Sequence, residues 1–132
     1  MTDDIVTFLR ARLDEDDEAA RDAAGWDPTG STRADGRWSR EGINSVIDSS
    51  LRLIVYGDSP APGDAQAEHI ARHDPARVLR EIEAKRRILD RAQELHDDPF
   101  DTVLFTEYVE TVLPVMAATY SDHPDYQPHW TT

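Results

Sequence analysis

Residues 45–56, with the sequence SVIDSSLRLIVY, decide the fold class of this 132-residue chain. Ser45–Asp48 and Leu51–Tyr56 are rich in β-branched and aromatic residues, and the Ser49-Ser50 pair between them suits a tight turn. This segment predicts an antiparallel β-hairpin within a sequence that otherwise has helical patterns. Because a hairpin alone is marginal in water, we expect it to lie against helices or to gain a third strand near Trp38.

Helical patterns lie on both sides of the hairpin region. The clearest helix begins after Asp74-Pro75, because Asp is a good N-cap and Pro fits the first helical position. Pro114 is expected to kink or break the last helix. We therefore predict a mainly α (α+β) fold with about four helical segments and a small antiparallel β-hairpin between the first and second helices. The chain is predicted to be a single domain over residues 1–132, with a helix at 1–24, a loop at 25–37, the β-hairpin region at 38–56, helices at 64–120 and an extended tail at 121–132.

The composition limits the possible functions. The chain has 27 acidic and 14 basic residues, which give a formal net charge of −13, whereas a protein that binds nucleic-acid phosphates needs a cationic surface. We therefore expect neither direct nucleic-acid binding nor attachment to an anionic membrane, but a basic partner and mimicry of nucleic-acid charge stay open. The chain has no cysteine, which excludes disulfides and thiolate metal sites. It also lacks the layout of a signal peptide and any long apolar run, so a cytoplasmic location is expected.

Charged residues interrupt the apolar faces of two predicted helices. At about 100° per residue, Arg12 and Asp16 fall on the buried face of the first helix, and Lys85 falls on that of the long helix. An ion pair placed there usually costs stability or leaves it unchanged, so these residues are candidates for a functional site. The structural readings stay open: Arg12 and Asp16 as an ion pair, and Lys85 with its ammonium group at the rim of the core.

Two histidines lie four residues apart in the segment EHIARH, residues 68–73. At this spacing His69 and His73 share one helical face and would be able to bind one metal ion. The residue after His69 is Ile70, so the general-base glutamate of the H-E-x-x-H metalloproteases is absent. A divalent metal held by His69, His73 and Asp16 remains one reading, and two surface or helix-capping histidines are the other.

The tail contains a second polar cluster, in which prolines alternate with histidine, aspartate and tyrosine. His123, Asp125, Tyr126 and His129 belong to it, and Pro124 and Pro128 restrict its backbone. We interpret this segment as a stiff strap that packs Tyr126 and Trp130 onto the domain.

The segment HIARHDPARVLREIEAKRRIL, residues 69–89, resembles the signature of an actinobacterial family known only as a domain of unknown function. FLRARLDED at 8–16 and YSDHPDY at 120–126 fit the same family. The usual form of the family has a more compact stretch after the long helix, often with cysteines, where this chain has none. The resemblance implies no established activity, cofactor or catalytic residue. It groups the following residues into one candidate set: Arg12, Asp16, His69, His73, Asp74, Arg77, Glu81 and Lys85.

Our leading hypothesis from the sequence is a non-enzymatic module that binds a protein partner or a small ligand. In this reading Arg12 and Asp16 meet His69, His73 and Lys85 in one polar pocket. The alternatives are a metal-binding protein or metal-dependent enzyme that uses His69, His73 and Asp16, and an acidic mimic of nucleic acid that binds a basic protein. The sequence does not indicate an oligomeric state.

Overall fold

A computed structural model describes residues 2–25, 35–42, 45–55, 62–98 and 100–130. Its elements are the helices α1 (Thr2–Ala24), α2 (Asp64–Arg72), α3 (Pro75–Asp97), α4 (Thr102–Glu107) and α5 (Leu113–Ala117), and the strands β1 (Trp38–Glu41), β2 (Ser45–Asp48) and β3 (Leu53–Val55). The α+β class is confirmed, and so is the position of the sheet between the first two helices. Two compact units are present, one of residues 16–82 and one of residues 1–15 with 83–132. Within the described ranges, we find no helix with both the length and the apolar character needed to span a bilayer.

The unit of residues 16–82 contains the sheet. Its strands are antiparallel in the order β1-β2-β3, and Ile47 of β2 is paired with Ser39 on one side and Leu53 on the other. The predicted hairpin is confirmed, as is the third strand near Trp38. The buried apolar residues of this unit come from both helices and sheet: Ala20, Ala24, Val46, Ile47, Ala67 and Ile82.

The turn between β2 and β3 is longer than the sequence predicted, so β3 begins at Leu53 rather than at Leu51. Asp48 causes this difference, because its carboxylate accepts the backbone N–H groups of Ser50 and Arg52, each at 2.9 Å, and the Arg52 Nε at 2.8 Å. Leu51, between these donors, adopts a left-handed conformation with φ of 65°. Tyr56, which we placed in the second strand, lies outside the described residues.

Burial and hydrogen bonding act on Asp48 in opposite directions. Burial disfavours its charged form, but the N–H donors and the Arg52 charge outweigh burial and lower the pKa of Asp48 below its ordinary value of 3.8. The side chain is 3% exposed, so the charge is held within the protein rather than in water. Asp48 is therefore a structural anion of the turn.

The unit of residues 1–15 and 83–132 is helical. Its buried residues include Leu9 and Leu13 of α1, Leu89 and Leu95 of α3, and Leu113 of α5. The sequence predicted a kink or a break at Pro114, but the helical path continues through this residue in α5. A π-type turn at Tyr108–Val112 precedes it, in which the Leu113 N–H bonds to the Tyr108 carbonyl. Such a turn changes the hydrogen-bond pattern just before the proline, where its ring would disturb an α-helix.

The tail is curled rather than extended as the sequence predicted. The Tyr126 N–H donates to the His123 carbonyl at 3.0 Å, and the Trp130 N–H donates to the Gln127 carbonyl at 3.0 Å. The second of these bonds closes a short 3₁₀ turn at Pro128–Trp130. Proline is compatible with such turns because its φ lies near their range. Residues 131 and 132 lie outside the described residues.

Candidate functional site

Arg12 is a buried cation on the apolar face of α1, as the helical phase predicted. The residue is 7% exposed. Its Nη2 donates to Glu15 Oε1 at 3.0 Å, its Nη1 lies 2.9 Å from His123 Nδ1, and Asp125 Oδ2 is 3.8 Å away. One helical turn brings the Glu15 carboxylate, which stays largely exposed, back to the guanidinium.

His123 joins the tail to α1 through one ring nitrogen. Its Nδ1 faces the Arg12 Nη1 and also accepts the backbone N–H of Asp125 at 3.0 Å. Because both neighbours are donors, Nδ1 carries no proton in this arrangement, and the hydrogen-bond network assigns the ring proton to Nε2. These bonds fix both the His123 ring and the backbone that carries Asp125.

Phe8 is the centre of an aromatic cluster beside Arg12. Its ring centroid lies 5.0 Å from that of Trp130, 6.1 Å from Tyr126 and 6.2 Å from Tyr120. The Arg12 guanidinium carbon lies 5.2 Å from the same Phe8 centroid, within the range of a cation–π contact. The prediction that the tail packs Tyr126 and Trp130 onto the protein is confirmed.

An open cavity of about 410 Å³ lies between the start of α1 and the tail, within one compact unit. Its aromatic wall consists of Phe8 and Trp130. The polar part is dominated by carboxylates, with three aspartates and one arginine. We call it the α1–tail pocket, and its lining residues are Asp3, Asp4, Thr7, Phe8, Ala11, Arg12, Asp125, Gln127, His129 and Trp130.

The electrostatics of the α1–tail pocket are negative. Asp3 and Asp4 lie in the first turn of α1, where the helix dipole stabilises ionised carboxylates. Asp125 is 75% exposed, so its oxygens face solvent at the rim. The positive charge of Arg12 is largely balanced by Glu15, which contacts it directly. Among the lining residues, carboxylates therefore outnumber arginine and lysine side chains three to one.

Arg12 also carries a polar atom that the protein leaves unsatisfied. Among the described residues, its Nε has no hydrogen-bond partner, although it is inaccessible to water. An unsatisfied buried donor costs about 1–3 kcal/mol. Since an apolar residue would avoid this cost, stability alone does not explain an arginine at this position.

The predicted histidine pair lies in the other unit, and both side chains are exposed. The ring centroids of His69 and His73 are 4.1 Å apart. The His73 Nδ1 lies 2.8 Å from the His69 carbonyl oxygen, at the C-terminus of α2. This contact matches the helix-capping reading of the sequence. Within the described part of the chain, no three His, Asp or Glu side chains are grouped to hold a metal ion, so His69, His73 and Asp16 do not form such a set.

The Asp74-Pro75 segment forms the corner between α2 and α3. Asp74 caps α3 as predicted, since its carboxylate accepts the Arg77 N–H at 2.8 Å, and it also accepts the Trp38 N–H of β1 at 3.1 Å. The Ala76 N–H donates to the Gly36 carbonyl at 3.0 Å. Gly36 has φ of +73°, and a Cβ there would lie 3.0 Å from the Ala76 nitrogen. This part of the signature therefore fixes the start of α3 to the segment that leads into the sheet.

Two further members of the candidate set, Arg77 and Glu81, are partners of each other. Arg77 Nε donates to Glu81 Oε1 at 2.9 Å, one turn along α3, and Arg77 Nη1 reaches the Arg72 carbonyl at 3.3 Å. Asp16 is partly exposed, and Lys85 is partly buried, as a snorkelling lysine would be.

The eight predicted site residues are divided between the two units. Arg12 and Lys85 belong to the unit of residues 1–15 and 83–132, and the other six belong to residues 16–82. Their convergence on one polar pocket remains a prediction. The sequence predicted Trp130 as part of a strap, but it did not reveal the pocket that Trp130 shares with Phe8, Asp3 and Asp125. A signal was present, because the buried Arg12 needed polar partners and the tail contained a polar cluster for which only a packing role was predicted.

Comparison with known protein families gives a match over nearly the whole chain. The model of a family of unknown function (DUF6221) matches residues 2–132. No curated protein and no solved structure matches the chain. The family match confirms the resemblance to a domain of unknown function, and it covers both compact units.

Proposed function

We propose that this chain, which belongs to the family of unknown function DUF6221, is a binding module whose α1–tail pocket takes a cationic organic group. Such a group would be an alkylammonium or guanidinium, on a small ligand or on a side chain of a protein partner. The observation that carries the proposal is an aromatic wall under a rim of carboxylates. Size is compatible, because ligand pockets commonly measure about 300–1,000 Å³ and this cavity measures about 410 Å³.

The two kinds of side chain in the pocket favour the same ligand chemistry. Aromatic faces attract organic cations through the ring quadrupole, as in the cages that bind quaternary ammonium groups. Carboxylates at the rim add a Coulomb attraction that persists where water is partly displaced. Phe8 already has one cation beside it, the Arg12 guanidinium, and Trp130 forms the other part of the wall.

Arg12 supports the pocket as a positioning residue. Its contact with His123 joins the tail to α1, and His123 in turn holds the backbone that carries Asp125 at the rim. Its bond to Glu15, which is also on α1, orients the guanidinium. No described residue bonds to the buried Nε, and this is a cost of the arrangement. That cost favours a functional reason for the arginine over a purely structural one.

The test is an NMR titration of the intact chain with choline, and a parallel titration with its neutral isostere 3,3-dimethylbutan-1-ol. We expect choline to shift the Trp130 indole N–H signal saturably, with an affinity that falls as salt is added, and the alcohol to bind far more weakly. Equal shifts from the two probes would refute the cationic preference. No saturable shift from choline would refute the pocket.

Two substitutions with the same change of charge sharpen the test. Asp125→Asn should weaken choline binding about tenfold, because it removes one carboxylate from the rim. Asp90→Asn is the matched control, since Asp90 is an exposed residue of α3 that pairs with Arg10 and is not among the lining residues. If the two variants weaken binding equally, the effect comes from net charge and the proposed site is wrong.

A further inference from the structure

We infer that a second surface, formed by Phe100, Val103 and Leu104, docks a positively charged amphipathic helix of another protein. We call this surface the α4 patch. It is separate from the residues that line the α1–tail pocket, so the inference does not depend on the proposed function.

The α4 patch exposes Phe100, an apolar side chain at a position that often packs against the helix it precedes. Phe100 precedes the N-cap Asp101, and a hydrophobic residue at that position often packs against the fourth helical residue, here Phe105. Instead, Phe100 is 93% exposed and Val103 is 83% exposed. Phe105 packs edge-on against His96, with the ring centroids 5.5 Å apart. The protein thus leaves Phe100 available to a partner.

The backbone around Phe100 is held in place. The Phe100 N–H donates to the Asp98 carboxylate at 2.9 Å, and the Asp101 carboxylate accepts the Leu104 N–H at 3.3 Å. Two carboxylates on either side of Phe100 therefore fix the chain that presents it. Preorganised apolar groups bind with a smaller loss of conformational freedom.

Charge identifies the kind of occupant. After Arg91 the sequence contains no Lys or Arg, but it contains eight acidic residues: Glu94, Asp97, Asp98, Asp101, Glu107, Glu110, Asp122 and Asp125. Asp98 and Asp101 flank Phe100, and Glu107 lies one helical turn after Val103. A second copy of this surface, or an anionic membrane, would place negative charge against negative charge.

A basic amphipathic helix satisfies both features of the surface. Its apolar face would cover Phe100 and Val103, and its Lys or Arg side chains would reach the carboxylates around them. The apolar contacts would provide most of the affinity, and the charges would provide specificity and a fast association rate.

The experiment measures binding of a fluorescent amphipathic peptide of leucine and lysine to the intact chain. A peptide of the same composition in scrambled order, which lacks an apolar helical face, is the control ligand. We expect saturable binding of the amphipathic peptide and at least about tenfold weaker binding of the scrambled one. Equal affinities would mean that only net charge is being measured, and they would overturn the proposal.

Protein variants locate the peptide. The double variant Phe100→Ser/Val103→Ser should lose about tenfold or more in affinity, and circular dichroism should show unchanged folding because both side chains are exposed. Leu51→Asn is the matched control, because it removes a 76% exposed leucine from the other unit and should leave the affinity within about twofold. Loss of affinity in the control variant alone, or in neither variant, would overturn the assignment.

Two further arms test other occupants. Sedimentation of the chain alone should show no association that depends on Phe100, and zwitterionic lipid vesicles should not bind it. A dimer or a vesicle complex that the double variant abolishes would assign the α4 patch to that occupant instead. Saturating choline should leave the peptide bound, and displacement by choline would show that the peptide occupies the α1–tail pocket.

Discussion

Phe8→Leu tests how the tail is held on α1. The substitution keeps a large apolar side chain in a position that is 6% exposed, but it removes the ring contacts with Trp130, Tyr126 and Tyr120. Each aromatic pair contributes about 0.5–1.5 kcal/mol beyond burial, and the cation–π contact with Arg12 about 0.5–1 kcal/mol. Because these contacts share one ring, they do not add fully. We expect the tail to lose about 2 kcal/mol of its docking free energy.

Amide hydrogen exchange measures this loss directly. The Trp130 N–H, which donates to the Gln127 carbonyl, should exchange about thirtyfold faster in the variant, since 1.4 kcal/mol corresponds to a factor of ten. The Val78 N–H in α3, which donates to the Asp74 carbonyl in the other unit, is the internal control. Ile5→Val is the control variant, because it shortens a buried side chain on the same face of α1 without removing an aromatic ring. Less than about threefold acceleration at Trp130, or equal acceleration at Val78, would refute a tail held by Phe8.

Three predictions concern the other unit. Asp48→Asn should lower the free energy of unfolding at neutral pH by about 1–2 kcal/mol. Because the pKa of Asp48 is lowered in the folded state, this difference from wild type should persist above pH 3.8 and vanish as the pH falls through the folded-state pKa. Urea titrations at several pH values would check this. Leu51→Gly should raise the free energy of unfolding by about 0.5–1 kcal/mol, since it relieves a left-handed leucine, and an unchanged or lower Tm would contradict this. Asp74→Ala should cost about 2 kcal/mol in urea unfolding, because it leaves α3 uncapped and the Trp38 N–H without its acceptor; a cost below about 0.5 kcal/mol would show that the cap is dispensable.

The signature stretch has a structural explanation over its first half. His73 caps α2, Asp74 caps α3 and holds β1, and Arg77 bonds to Glu81 and to the end of α2. A motif that joins two helices and a strand would have a characteristic sequence for structural reasons alone, without binding a ligand. Within the described ranges, the buried Arg12 Nε without a hydrogen-bond partner and the exposed Phe100 both lie outside this stretch.

Local signals in the sequence were sufficient for most of the helices and for the hairpin. Asp74 and Pro75 marked the start of α3, and the β-branched run marked the hairpin. Each of these signals acts over a few residues, through a cap, a fixed φ or a side-chain preference. The predicted start of β3 was too early because the Asp48 carboxylate accepts backbone N–H groups of the turn. The tail was predicted to be extended, but it forms successive turns.

The sequence by itself determined the helices, the hairpin, the acidic character and the fact that Arg12 lies on an apolar face. Only the tertiary structure decided that Arg12 meets His123, which is 111 residues away, and that Phe8 and Trp130 form one wall of a pocket. The physical reason is that periodicity fixes the direction of a side chain relative to its own helix, whereas its partner depends on how distant segments pack. The exposure of Phe100 was equally hidden, because an apolar residue beside a cap has the same sequence pattern whether it is packed or left for a partner.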